Sequence, residues 1–261
     1  MRPPSPRVRR VVARSALLLV AGLVAGACEV RTELNITVQD DGSGVVEVAL
    51  GLDDDALDRR PDVFDELDLS DLEGTGWEVG EPVEEDGFTW LRASHRFGAP
   101  EEVGPLVEQV AGEGGPVRDV RLERDDDFAE TRYRFAGTVD FTGGAGGVTG
   151  DPELAEALGA EPIELLEERI GAAIDELVRV QVAVRLPGDV SSNAPTQASN
   201  GAVWRPSIVE REAVELQASS TLARTERWAW LGVAVVAGVA LVLYVLIQLA
   251  RWRRRRTPAP S

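Results

Sequence analysis

Few side chains in this sequence are equipped for chemistry, and their spacing does not assemble them into a reactive site. There is one histidine, His95, and one cysteine, Cys28. A single histidine excludes a histidine-cluster metal site. It also leaves no second imidazole to orient a triad, and no serine stands in a G-x-S-x-G context. His95 falls in a strand-like stretch beside Leu91, Ala93 and Phe97, where a half-buried structural role is expected. A single cysteine excludes a disulfide framework and any cysteine-rich metal centre. Carboxylates number 45, and no pair among them stands apart as the acid and base of a glycosidase. The runs Asp53-Asp54-Asp55 and Asp125-Asp126-Asp127 offer oxygen ligands suited to Ca²⁺. They lack the EF-hand spacing with its central Gly and distal Glu, so they read as solvated acidic turns. The stretch Thr142 to Gly150 is glycine-rich but has no P-loop Lys, and it reads as a flexible strand-to-helix connection. The expectation is a protein that is not an enzyme and holds no metal or cofactor.

Cys28 is the residue whose position carries information. Before it lie a basic stretch, Met1 to Arg14, and a twelve-residue apolar run, Ala16 to Ala27. That run is too short to cross a hydrocarbon core of about 30 Å but suits the apolar region of a signal peptide. It ends in the small residues Ala25-Gly26-Ala27 directly before Cys28, the pattern of a bacterial lipobox. Residues 1–27 are therefore expected to be a lipoprotein signal peptide, and Cys28 the site of lipidation.

Charge divides the chain further. Every basic residue is Arg. The segment 28–226 holds all 45 acidic residues but only 16 of the 27 arginines, a net charge of −29 against −18 for the whole chain. Such a segment is a poor ligand for phosphate backbones, so no nucleic-acid partner is expected. Residues Trp228 to Ala250 carry no charge, and five arginines follow within Arg251 to Arg256. At about 1.5 Å per residue the apolar run is long enough for a helix spanning a bilayer, and the arginines place its far end in the cytoplasm. The sequence thus predicts a transmembrane helix over 227–250, a basic cytoplasmic tail over 251–261, and an extracytoplasmic domain over 28–226.

Strand patterns dominate that domain. Leu34, Ile36 and Val38 alternate with polar residues up to the turn signal Asp40-Asp41-Gly42, and Val46, Val48, Leu50 and Leu52 then share a face. A second hairpin is predicted around Glu85-Asp86-Gly87 and a third around Asp125-Asp126-Asp127. In the latter, Tyr133, Phe135, Val139 and Phe141 point one way and Arg132, Arg134 and Asp140 the other. Val178 to Leu186 alternates likewise, and Val203 to Val209 and Val214 to Leu222 close the sheet. Helical spacing recurs at Val103, Leu106, Val107 and Val110, after Asp151-Pro152, and at Ile163, Leu166, Ile170, Ile174 and Leu177. A short helical turn is predicted at Pro61 to Leu69. The expected fold is α+β, a curved antiparallel sheet with two or three packed helices plus the C-terminal transmembrane helix.

Several of these features occur in an order that resembles the LppM-type domain of actinobacterial lipoproteins. They are the lipobox Cys28, the turn Asp41-Gly42-Ser43-Gly44, and a strand ending in Phe97 before Pro100-Glu101-Glu102. Leu186-Pro187-Gly188, Asn200-Gly201-Ala202-Val203-Trp204 and the basic tail complete the series. The resemblance implies an envelope lipoprotein, palmitate-type acylation at Cys28 and lipid or glycolipid handling, with no catalytic residues.

The expected partners are therefore membrane lipid and either an envelope glycolipid or a basic protein met by the acidic domain. The first strand starts about five residues after Cys28 and the last ends about five before the apolar run. Tethers of that length reach at most about 17 Å, so both ends of the domain are expected at the membrane surface. An apolar cavity between the strand faces Val46 to Leu52 and Val178 to Leu186 would favour lipid carriage. A filled core would favour an interaction module.

Overall fold

In a computed structural model of the protein, the described residues are 29–223 apart from 66, 68, 70–71, 73, 113–114, 143–173, 199–200 and 211, together with Tyr244. The first hairpin pairs β1 (Val30–Val38) with β2 (Gly44–Asp53). Its turn is closed by Gln39 N–H donating to the Ser43 carbonyl at 2.8 Å, with Gly42 at φ 89°. The second pairs β4 (Val83–Glu85) with β5 (Phe88–Phe97) across Asp86 and Gly87. Both turn residues have positive φ, 54° and 77°, which is what the twist of a two-residue hairpin requires and why Asp-Gly suits it. The third pairs β6 (Val117–Asp126) with β7 (Glu130–Asp140).

The strands form two sheets rather than one. β3 (Glu78–Val79), β8 (Val178–Arg185), β10 (Thr196–Ala198) and β11 (Gly201–Trp204) join the first two hairpins in an eight-stranded sheet. Its order is β10-β11-β8-β1-β2-β5-β3, with β4 also on β5. β9 (Asp189–Ser192) and β12 (Ala213–Ala223) join the third hairpin in a four-stranded sheet ordered β6-β7-β12-β9. Side chains from both sheets meet in one core. Ile36, Val46, Phe97, Val182, Val184 and Trp204 come from the first, and Leu122, Tyr133, Phe135, Val139 and Leu216 from the second. This is sheet-on-sheet packing, in which period-2 alternation gives each sheet one inner face.

Helices are few. α1 (Asp54–Arg59) starts where Asp53 caps it, the Asp53 carboxylate accepting from Ala56 N–H at 2.8 Å. The acidic run at 53–55 is thus a helix start, with Asp54 and Asp55 in the first turn where the helix dipole favours negative charge. α2 (Val103–Ala111) follows a 3₁₀ turn (Pro100–Glu102) and buries Val103, Leu106 and Val107 against β6. A Cβ on Gly104 would sit 2.5 Å from the Val120 carbonyl oxygen, so glycine there lets the helix lie close on the strand. α3 (Ile174–Leu177) is the end of one predicted helix; the rest of that helix and the segment after Asp151-Pro152 lie outside the described residues.

The expectation of an α+β fold with two or three packed helices and a transmembrane helix is corrected: the described domain is mostly β-sheet with few helices. Two strands, β9 and β10, run through a polar stretch that reads as a loop in sequence. Among the described residues no helix is long and apolar enough to cross a membrane, and residues 227–250, apart from Tyr244, lie outside them. The all-antiparallel expectation is also corrected, because β1 and β8 pair in parallel. Alternation specifies which face a strand buries but not the direction of its neighbour.

Candidate functional site

Among the described residues, a concave feature lined by polar groups lies where β1 and β8 begin. β11 pairs with β8 only over Val182 to Arg185 and then leaves the sheet at Arg205-Pro206. Proline has no N–H with which to continue a ladder. The departure opens a groove of about 590 Å³ along the first half of β8. Arg31 and Glu33 from β1, Arg179 and Gln181 from β8, and Arg205 and Ser207 from the departing strand line it, with Asp175 of α3 at one end.

The groove alternates donors and acceptors. Arg31 donates to the Glu29 carboxylate at 3.0 Å, and Arg179 lies 3.1 Å from the same oxygen. Arg31 also stands over the Phe88 ring, 3.8 Å from its centroid. Arg205 donates to the Gln181 side-chain oxygen at 2.9 Å. Asp175 accepts from the Ser207 hydroxyl and from Ile208 N–H at 2.8 Å, so it holds the groove wall in place. Glu33 accepts from the Asn35 amide at 3.3 Å.

Cys28, the expected lipidation site, lies outside the described residues. It precedes Val30, the first residue of β1, by two positions, which is at most about 7 Å of chain. Asp53 ties this end together, because its second carboxylate oxygen accepts from Glu29 N–H at 2.7 Å. The end of the domain lies elsewhere. A Cβ on Gly188, just beyond β8, would sit 2.3 Å from the Thr221 carbonyl oxygen. The Tyr133 hydroxyl, on the residue that pairs with Ser220, donates to the Asp40 carbonyl at 2.9 Å, just beyond β1. β12 therefore finishes beside the far end of β1, roughly 26 Å from Val30 at the usual strand rise. The two ends of the domain therefore lie at opposite ends of β1, because β12 runs back along the second sheet to finish beside β9 and Gly188.

The other sequence candidates are dispersed. His95 packs edge-on against Trp77, ring centroids 5.5 Å apart, and its Nδ1 lies 2.7 Å from the Arg96 carbonyl oxygen. Asp125, Asp126 and Asp127 sit at the β6–β7 turn, with Asp126 accepting from Thr131 at 2.9 Å and Asp127 from Phe128 N–H at 3.0 Å. Among the described residues no three His, Cys, Asp or Glu side chains gather where they could hold a metal ion. Of Thr142 to Gly150 only Thr142 is described. Of the faces read as a cavity wall, Val182 and Val184 are 0 % exposed and belong to the common core, whereas Val178 and Val180 are partly buried and line the groove. The alternation of Val178 to Leu186 puts Arg179 on the polar face of its strand, but no pattern in the sequence marks Arg31, Arg205 or Ser207. The only signal for the groove was Pro206 breaking a strand pattern.

The NMR structure of the folded domain of Mycobacterium tuberculosis LppM is similar at a TM-score of 0.41 and 13 % identity, with 77 % of this chain and 95 % of that one covered. The comparison with curated proteins found no match. The model of the LppM domain matches residues 29–220, from the first described residue almost to the end of β12, and the chain belongs to the LppM domain family.

Proposed function

We propose that the protein is a non-enzymatic envelope lipoprotein, exported by the signal peptide 1–27 and acylated at Cys28. Its domain stands on the outer face of the cytoplasmic membrane and handles envelope lipid or glycolipid at the level of the headgroup. The observation that carries this reading is the position of the groove, at the end of β1 that follows the anchor. Guanidinium groups on Arg31, Arg179 and Arg205 and carboxylates on Glu33 and Asp175 line it together, a mixture suited to a headgroup bearing hydroxyls as well as charge. Because Val182 and Val184 are sealed in the core, an acyl chain would remain in the bilayer while the headgroup is held. Burial in a polar groove costs little when each polar group finds a partner.

The reading is tested by photo-crosslinking the full chain in native membranes with lipids carrying a photoreactive headgroup. Crosslinks should fall on β1, β8 and the Arg205–Ser207 wall and should fade in Arg179→Gln. Crosslinks spread evenly over the domain would exclude the groove.

A second reading, an interaction module for a basic protein, draws on Phe128, 54 % exposed at the tip of the acidic β6–β7 turn. That tip is at the end of the domain away from Val30. Capture of one basic envelope protein, abolished by Phe128→Ser and retained in Arg179→Gln, would favour it.

A further inference from the structure

We propose that the outer face of the four-stranded sheet carries a second, separate binding site, for an acidic saccharide. A trough of about 540 Å³ crosses this face. Register sets its shape: Arg134, Ser219 and Ser191 stand in one row across β7, β12 and β9, and Arg121, Ala136 and Gln217 in the next across β6, β7 and β12. Small side chains in the middle, with Arg121, Arg134 and Glu123 at one flank, make a depression on a sheet that would otherwise present an even polar surface.

Arg121 is there because of a bulge. The β6–β7 register shifts between Arg118 and Arg121, and Asp119 within the shift has φ 54°. Three residues apart in a regular strand, Arg118 and Arg121 would point to opposite faces; the extra residue aims both outward. Arg118 pairs with Asp140, and Arg134 with Glu123 at 3.3 Å. Arg121 faces Ala136 across the ladder and has no ion-pair or hydrogen-bond partner among the described residues. In a chain with 45 acidic residues, the register leaves this guanidinium fork to an outside anion. Its planar geometry fits a carboxylate, while Ser191, Ser219 and Gln217 supply hydroxyls and an amide for sugar hydroxyls. The site shares no lining residue with the Arg31–Arg179–Arg205 groove and does not depend on the function proposed for it.

The test is calorimetric titration of the full chain, kept in nonionic detergent, with oligogalacturonate, with neutral oligogalactose, with inorganic phosphate and with a short poly-glutamate peptide. Saturable binding of oligogalacturonate alone is expected. Arg121→Gln should weaken it about tenfold, the effect of losing one charge-assisted contact. Ser219→Leu, at an exposed position, should block it, and Arg179→Gln should leave it unchanged. Equal binding of the neutral sugar, of phosphate or of the peptide would overturn the assignment, as would undiminished binding by Arg121→Gln and Ser219→Leu.

Discussion

Arg31 and Arg179 stand opposite each other in the parallel β1–β8 pair, and one carboxylate oxygen, on Glu29, lies 3.0 and 3.1 Å from the two. Two like charges on adjacent strands repel; the shared acid offsets that repulsion and holds both side chains at the groove. Glu29 is itself fixed through its backbone N–H to Asp53, the cap of α1. The residue next to Cys28 thus connects the sheet, the helix and the groove.

Replacing Glu29 by Gln leaves the two arginines without that carboxylate. Partly exposed pairs contribute little, so the expected loss of stability is about 1 kcal/mol or less at low salt. Because the residual effect is repulsion screened over about 10 Å at 0.1 M ionic strength, NaCl should restore part of it. Thermal melts of the variant and parent across a salt series check both points; a variant equally destabilised at every salt concentration would contradict the shared-acid account.

Val182 and Val184 report on whether the core is filled. Both are wholly buried between the sheets, so Val182→Ala and Val184→Ala should each cost about 1–3 kcal/mol, the transfer and cavity cost of deleted methyl groups. Denaturant unfolding measures this. Losses near zero would mean that the inner faces enclose space after all.

Tyr133 joins the two sheets at the end remote from Cys28. Its hydroxyl donates to the Asp40 carbonyl, and Tyr133→Phe should cost about 1–2 kcal/mol through the lost bond and the carbonyl left behind. Burial pushes the Tyr133 hydroxyl above its ordinary value of 10.0. A raised folded-state value means that the stability it contributes is complete below 10.0 and is lost as pH rises through the folded value. The parent should therefore lose stability at high pH and the Phe variant should lose less. Identical alkaline limbs would show that Tyr133 does not govern this loss.

Asp41 works in the opposite direction. Hydrogen bonds from the Ser43 hydroxyl at 2.6 Å and backbone N–H at 2.9 Å hold its carboxyl below the usual carboxylate range. The turn is then supported above the unfolded value, and that support is lost as pH falls through the folded one. Ser43→Ala should raise the Asp41 titration midpoint followed by NMR; an unchanged midpoint would contradict the assignment.

Much of the strand layout was legible because it rests on local rules. Tyr133, Phe135, Val139 and Phe141 fall on one buried face as their alternation required, and Asp86-Gly87 forms the turn its φ angles favour. The helix at Val103 to Ala111 follows its apolar spacing, and Gly104 within it permits close approach to Val120. The parallel partner of β1 was hidden, because Val178 to Arg185 has the same alternation whichever direction its neighbour runs. The division into two sheets was hidden as well, since it depends on long-range pairing. The groove was almost invisible in sequence. Arg31, Arg179 and Arg205 lie far apart in the chain and converge only through the β1–β8 register and the departure at Pro206.

The central claim is that an acylated Cys28 sets the Arg31–Arg179–Arg205 groove at the headgroup layer, where it holds a lipid or glycolipid. Native mass spectrometry of the full chain, released from its own membranes in mild detergent, tests this directly. The account predicts a covalent diacylglyceryl adduct that vanishes in Cys28→Ser. It also predicts a separate noncovalent lipid that is retained by the parent and lost in an Arg179→Gln, Arg205→Gln double variant whose melting temperature matches the parent. A parent without bound lipid, or a double variant that retains the same lipid to the same extent, would contradict it.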